Sequence, residues 1–144
     1  MLATVAMVIV GLWMGCSGGG HQQASAVDVI LYTAACNDKE FPAGDTTSFG
    51  CAEGLLGHLI DMGPVTSSGS QSDDTVTCSG GGGRVRIRGW VETGAGLSPD
   101  DTLRCRREAM GVLHDRCYNR VGARVWRTDG ENRRVCFIQY EKLL

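Results

Sequence analysis

Apolar positions in this 144-residue chain follow two different periods, and the period changes several times along the sequence. From Thr47 to Met62 they follow helical spacing, at Phe49, Ala52, Leu56, Leu59 and Ile60. Asp45 or Thr46 is placed to cap this predicted helix, and Gly63-Pro64 ends it. From Arg84 to Val91, arginine alternates with valine and isoleucine, which predicts a strand with one solvent-facing side.

A second helix and a hairpin are predicted in the C-terminal part. Ser98 is a preferred N-cap residue and Pro99 fits the first turn, so a helix is expected from there to about Asn119. Its apolar face should carry Leu103, Met110, Leu113 and Cys117. Strands are predicted at 123–127 and 135–141, joined by a turn over 128–132.

The remaining segments complete the fold prediction. Val27–Cys36 is rich in β-branched and aromatic residues and predicts a strand, and Thr75–Cys78 predicts a short one. Val65–Asp74 is predicted to be a polar loop and Ser79–Gly83 a flexible tract. The order indicates an α+β domain with an antiparallel sheet of about five strands packed with two helices.

The N-terminal segment has the features of a secretory signal peptide. An apolar run from Leu2 to Met14 is too short to span a membrane comfortably, and Ala24-Ser25-Ala26 is a small-residue cleavage site. Residues 1–26 are therefore predicted to be a signal peptide and 27–144 the mature domain. Two alternatives are an uncleaved anchor, since no Lys or Arg precedes the run, and a lipoprotein modified at Gly15-Cys16.

Six cysteines remain after cleavage at Ala26, namely Cys36, Cys51, Cys78, Cys105, Cys117 and Cys136. An even number in a short exported chain indicates a disulfide framework formed in an oxidising compartment. Six cysteines allow fifteen pairings, and their spacing alone does not choose among them. No second apolar run has membrane length, so the prediction is a secreted extracellular protein without a membrane span.

Charge is distributed unevenly between the two halves of the mature chain. Residues 27–83 contain eight acidic residues against one basic residue, while residues 84–144 contain thirteen basic against eight acidic residues. The arginines are interleaved with acids and are not clustered with aromatic residues, which argues against a nucleic-acid partner. The imbalance fits packing of one half on the other better than a basic face for an anionic partner.

The motifs around the later cysteines resemble a known family. Gly122-Ala123-Arg124-Val125, followed by Cys136-Phe137-Ile138-Gln139-Tyr140-Glu141, is similar to the ginkbilobin-type, or stress-antifungal, cysteine-rich domain of land plants. Ala35-Cys36-Asn37 resembles the segment after the first strand of that family. The resemblance extends over roughly residues 28–143.

This resemblance implies a partial disulfide pattern. The family motif C-x8-C-x2-C is reduced here, because Thr93 and Thr102 occupy its first two positions and only Cys105 is kept. The family pattern implies bridges Cys36–Cys117 and Cys105–Cys136. Cys51 and Cys78, which have no counterpart in the family, would then pair with each other.

The resemblance also implies a mannose site formed by Asn37, Arg124 and Glu141. Glutamate accepts hydrogen bonds, arginine donates them and asparagine does both, which suits the adjacent hydroxyls of a sugar. From the residues alone, Arg124 and Glu141 could instead form a cross-strand ion pair. Asn37 could equally be a turn residue.

The resemblance, together with the predicted signal peptide and disulfides, implies a secreted, mannose-binding, lectin-like defence protein of plants with antifungal activity. Its partners would be mannose or a mannan-type glycan, and a cell-surface protein if the domain is instead a protein-interaction module. A storage protein without a specific ligand is a third hypothesis.

Enzyme activity is not expected, because a glycosidase needs two carboxylates and Glu141 has no evident partner. Zinc at His114 with Cys117, or at Cys51 with His58, is disfavoured because exported cysteines form disulfides, so no cofactor or metal is expected.

Overall fold

The computed structural model describes residues 32–63, 69–80 and 83–144, and Tyr32–Leu144 form one compact unit. Along the described residues the elements are β1 (Tyr32–Cys36), α1 (Ser48–Met62), β2 (Ser70–Gly80), β3 (Gly83–Thr93), α2 (Pro99–Arg116), β4 (Gly122–Thr128) and β5 (Arg134–Lys142). The predicted signal peptide, residues 1–26, lies outside the described residues. The first part of the predicted first strand, 27–31, lies outside them as well.

The five strands form one antiparallel sheet in the order β1-β4-β5-β3-β2, which confirms the predicted α+β class. Residues of β3 alternate strictly: Ile87, Gly89 and Val91 are buried, whereas Arg88 and Trp90 are half-buried. A Cβ atom on Gly89 would lie 3.0 Å from the Leu55 side chain of α1. Glycine therefore allows α1 to pack closely on this face, while Arg88 and Trp90 lie on the opposite face.

Two element predictions were wrong at their boundaries. The segment predicted to be a polar loop contributes to β2, which begins at Ser70 and pairs with β3 over eleven positions. Backbone hydrogen bonds hold such an edge strand without apolar side chains, so its sequence lacks the expected pattern. The second helix ends at Arg116, before the predicted Asn119, which has a positive φ of 59° and cannot continue a right-handed helix.

The buried face of α2 also differs from the prediction. Thr102, Cys105, Arg106, Ala109, Val112 and Leu113 are buried, whereas Leu103 and Met110 are only half-buried at its margin. Ser98 caps this helix as predicted, because its hydroxyl oxygen accepts a bond of 3.1 Å from the amide of Asp101. Cys105 on this buried face is joined to Cys136 of β5 by a disulfide, so the face packs against the sheet.

Within the described residues, three disulfides join the helices to the sheet. Cys36–Cys117 connects the end of β1 to the end of α2, Cys51–Cys78 connects α1 to β2, and Cys105–Cys136 connects α2 to β5. These are the pairs expected in the sequence analysis. Since each bridge joins a helix or its cap to a strand, the framework fixes both layers of the domain relative to each other.

The N-terminus of α1 is capped by Asp45. Its carboxylate accepts hydrogen bonds from the backbone amides of Thr47 at 3.1 Å and Ser48 at 2.9 Å, and from the Ser48 hydroxyl. Of the two predicted capping residues, Asp45 is the one that caps the helix. It lies two residues before Thr47, which occupies the N-cap position. The Ser48 and Thr47 donors lower the pKa of Asp45 from its ordinary value. A Cβ atom on Gly80 would lie 2.5 Å from the carboxylate, so a side chain at this position would have to displace the cap.

We expect Asp45→Asn to reduce the acid sensitivity of the fold. Because folding lowers the Asp45 pKa, its carboxylate stabilises the protein above the unfolded pKa of about 3.9. That contribution is lost as the pH falls through the folded pKa. Urea unfolding between about pH 6 and pH 2 should therefore show a shallower loss of stability for Asp45→Asn than for wild type. Asp38→Asn, at an exposed aspartate, is the control, and equal pH slopes for wild type and Asp45→Asn would contradict the assignment.

Candidate functional site

A pocket of about 280 Å³ lies where β1 ends, β4 begins and β5 ends. Asn37, Arg124 and Glu141, the three residues implied by the family resemblance, all line it. Its other lining residues are Ala35, Cys36, Gly122, Ala123, Gln139 and Tyr140. The sheet thus brings together residues from both ends of the described chain.

Arg124 and Glu141 share a face of the sheet but do not face each other directly. Arg124 is opposite Gln139, and Glu141 is opposite Gly122, so the two charges are offset by two positions. Among the salt bridges of the described residues, none involves Arg124 or Glu141. The alternative of a direct cross-strand ion pair is therefore not observed, and both charged groups are exposed beside the pocket.

The guanidinium of Arg124 has one described neighbour on its own strand. Its central carbon lies 5.7 Å from the centre of the Trp126 ring, within the range of a cation–π contact. This contact restricts the arginine while leaving its N–H groups available. A preorganised arginine loses less side-chain entropy when it donates hydrogen bonds to a ligand.

Asn37 acts both as a turn residue and as a pocket residue. Its side-chain oxygen accepts a hydrogen bond of 2.9 Å from the backbone amide of Lys39. Its backbone amide donates to the Gly122 carbonyl at 2.8 Å. The turn alternative is thus correct for the side-chain oxygen. The side-chain nitrogen has no hydrogen-bond partner among the described residues, so Asn37 offers donors to the pocket.

The segment after Asn37 is held by Arg120, which the sequence analysis did not identify. Its Nη1 donates to the carbonyls of Asn37 at 3.1 Å and Asp38 at 3.3 Å. The carbonyl of Arg120 accepts a bond of 2.5 Å from the hydroxyl of Tyr140, whose pKa is raised well above its ordinary value by burial. Tyr140 therefore remains a donor at physiological pH and ties the Asn37 segment to β5.

Two further pocket residues were within the quoted motifs but had no predicted role. A Cβ atom on Gly122 would lie 3.3 Å from the carbonyl oxygen of Tyr140 and 3.7 Å from the Cβ of Asn37, so the strands pack tightly at this edge of the pocket. Gln139 lies opposite Arg124 and two positions before Glu141, on the same face of β5. Two-residue periodicity would have placed Gln139 beside Glu141, but its pairing with Arg124 depends on strand register.

The residues weighed for zinc do not form a metal site. Cys51 and Cys117 are both in disulfides, so neither offers a thiolate, and His114 Nδ1 lies 2.7 Å from a carboxylate oxygen of Glu53. In the described ranges, no cluster of three or more His, Cys, Asp or Glu side chains could hold a metal ion.

Solved structures with the same fold are extracellular plant domains. The chain superimposes on the tandem DUF26 ectodomains of the Arabidopsis thaliana cysteine-rich receptor-like proteins PDLP8 and PDLP5, with TM-scores of 0.52 and 0.55 at 19% and 15% identity. Each alignment covers 76% of this chain and spans 43% and 48% of the respective ectodomain, or about half its length. The likeness establishes the fold of a single DUF26-type unit.

Sequence comparison identifies the family. The chain is 30% identical over 142 residues to antifungal protein ginkbilobin-like protein 1 of Picea glauca, which covers 99% of this chain and 88% of the relative. It is 27% identical over 117 residues to antifungal protein ginkbilobin-2 of Ginkgo biloba, covering 81% of this chain and 79% of that protein. No model of a known protein family matches. The chain belongs to the family of ginkbilobin-like antifungal proteins, as the resemblance had predicted.

Within the residues that the structure describes, neither helix has the length and apolar character needed to cross a membrane.

Proposed function

We propose that this is a secreted plant defence protein that binds mannose, or a mannan-type glycan, through Asn37, Arg124 and Glu141 and catalyses no reaction. The two relatives described above are both named as antifungal proteins. The observation that carries the proposal is the pocket, where an exposed arginine and an exposed glutamate lie close together without forming a salt bridge.

The chemistry of the pocket suits a sugar. Arg124 and the amide nitrogen of Asn37 donate hydrogen bonds and Glu141 accepts them, so adjacent hydroxyls of one ring can be bound in both roles. Among the described residues that line the pocket, Glu141 alone is acidic, whereas glycoside hydrolysis uses a pair of carboxylates. Binding without catalysis is therefore the proposed role, with export directed by residues 1–26 to the plant apoplast.

We expect the oxidised protein to bind mannose more tightly than glucose, and Arg124→Ala and Glu141→Gln each to weaken mannose binding by about tenfold or more. A hydrogen bond to a charged group accounts for a change of this size. Isothermal titration calorimetry would measure it, with Glu92→Gln as a control at another outward position of the sheet. Absence of a mannose signal from folded wild type, or unchanged binding by both site variants, would refute the proposal.

A protein-interaction role is the second candidate, and the fold supports it, since the same fold occurs in ectodomains of receptor-like proteins. Under this alternative, neither wild type nor the site variants would bind sugar. An extracellular protein partner would then be captured equally by wild type and by Arg124→Ala.

A further inference from the structure

A second pocket, of about 140 Å³, lies beside the first. It is lined by Arg88, Trp90, Gln139 and Glu141. Gln139 and Glu141 also line the first pocket, so the two outward polar side chains of β5 are shared between them. The two pockets therefore adjoin across one strand.

The strand register aligns the groups of the two pockets in rows. Gln139 is opposite Arg124 on β4 and opposite Trp90 on β3. Glu141 is opposite Gly122 on β4 and opposite Arg88 on β3. The strands that carry the outer members, β4 and β3, are two strand spacings apart, about 10 Å. Two linked hexose rings can cover this span, whereas one ring is shorter than it.

The second pocket has the chemistry of a sugar subsite. An indole offers a flat apolar surface to the C–H face of a pyranose, and a guanidinium offers several donors to its hydroxyls. Arg88 is already oriented, because its Nη2 lies 3.1 Å from the carboxylate of Asp73 and its central carbon lies 5.5 Å from the Trp90 ring centre. Its side chain nevertheless remains 42% exposed and accessible to a ligand.

We propose that the two pockets are subsites of one glycan site, so that the ligand is an oligosaccharide of at least two hexose units lying across β5. One unit occupies the pocket of Asn37 and Arg124, and the next stacks on Trp90 beside Arg88. Gln139 and Glu141 contact both units. This inference rests on the proposed mannose-binding function and extends it from a monosaccharide to a chain.

The test compares methyl α-mannoside with a panel of α-linked mannobioses by isothermal titration calorimetry on the oxidised full-length protein. At least one mannobiose should bind wild type about tenfold more tightly than methyl α-mannoside. Arg88→Ala and Trp90→Ala should remove this advantage while leaving methyl α-mannoside affinity within about twofold of wild type. Trp90→Phe, which keeps an aromatic face, should retain part of it.

Arg86→Ala is the matched control for Arg88→Ala, because Arg86 lies on the same face of β3 but lines neither pocket. It should bind both ligands as wild type does. Equal affinity of wild type for methyl α-mannoside and every mannobiose would overturn the subsite proposal and leave mannose binding intact. The proposal would also be overturned if the folded Arg88→Ala and Trp90→Phe proteins lost affinity equally for methyl α-mannoside and for the mannobioses. Failure of wild type to bind any of these sugars would overturn the proposed function itself.

Discussion

Replacing Cys36 and Cys117 with serine should lower the free energy of unfolding by about 4 kcal/mol. This bridge spans a sequence separation of 81, and a cross-link that closes a longer loop removes more conformational entropy from the unfolded chain. Among the described strands, β1 pairs with β4 alone, so the bridge is a second link that holds β1 in place. A loss of this size is a large part of the stability of an ordinary domain, and urea unfolding would measure it.

The same substitution should also weaken the proposed mannose binding, because Cys36 lines the pocket and directly precedes Asn37. The matched control is Cys51→Ser with Cys78→Ser, whose bridge has a sequence separation of 27 and lines neither pocket. Its removal should cost about 1 kcal/mol less and leave binding by the folded protein intact. A larger loss from the Cys51–Cys78 pair, or unchanged mannose affinity without the Cys36–Cys117 bridge, would contradict this account.

Truncation of Arg106 to alanine should destabilise the fold by about 3 kcal/mol, as truncation of other fully buried long side chains does. Its Nε donates to the Thr93 hydroxyl at 2.8 Å and its Nη2 to the Ser70 hydroxyl at 2.6 Å. Among the described residues Arg106 has no acidic partner, and its Nη1 has no hydrogen bond. Burial accordingly lowers the pKa of the guanidinium.

Arg106→Met is the matched variant, because it keeps most of the volume and removes the buried charge. Methionine fills the space but leaves the hydroxyls of Thr93 and Ser70 without this donor, so Arg106→Met should cost about 1–2 kcal/mol, less than alanine. Urea unfolding of both variants separates the two contributions. Equal destabilisation by alanine and methionine would show that the hydrogen bonds, and not the filled volume, hold this part of the core.

The surroundings of Arg106 also explain how the domain accommodates the reduced family motif. Thr93 and Thr102 are both buried at the positions where the resemblance implies a pair of cysteines. The Thr93 hydroxyl accepts a hydrogen bond from Arg106, whereas the Thr102 hydroxyl has no hydrogen-bond partner among the described residues. A polar contact and the Cys51–Cys78 bridge are therefore present in place of the family's third cross-link.

Periodicity and cap residues predicted the two helices, β3 and the C-terminal hairpin, because these elements carry their own local patterns. The eleven-residue β2 was largely missed. Its polar sequence, including Asp73 and Asp74, has no apolar alternation, and it is stabilised by backbone pairing with β3. The β-propensity of its residues alone does not reveal an edge strand that is stabilised by pairing with its neighbour.

The candidate site was predicted in part, and only through the family resemblance. Spacing alone did not bring Asn37, Arg124 and Glu141 together, because they lie on segments far apart in the chain. Arg120, Gly122 and Gln139 were not assigned roles, since their contributions depend on register and on carbonyl positions between distant segments. The same reason applies to Arg88 and Trp90, which meet β5 only through strand pairing.

The Cys36–Cys117 bridge joins two segments of the chain that are synthesised at different times. Because the N-terminal part of a chain is made first, Cys36 encounters Cys51, Cys78 and Cys105 before its partner Cys117 is made. Any early bond between Cys36 and one of these must be exchanged by attack of a free thiolate. The candidate pocket likewise combines Asn37 with Arg124 and Glu141, which are synthesised after Cys117. A chain synthesised only as far as Cys117 therefore lacks the candidate pocket, and any mispaired Cys36 must be released before the pocket can form.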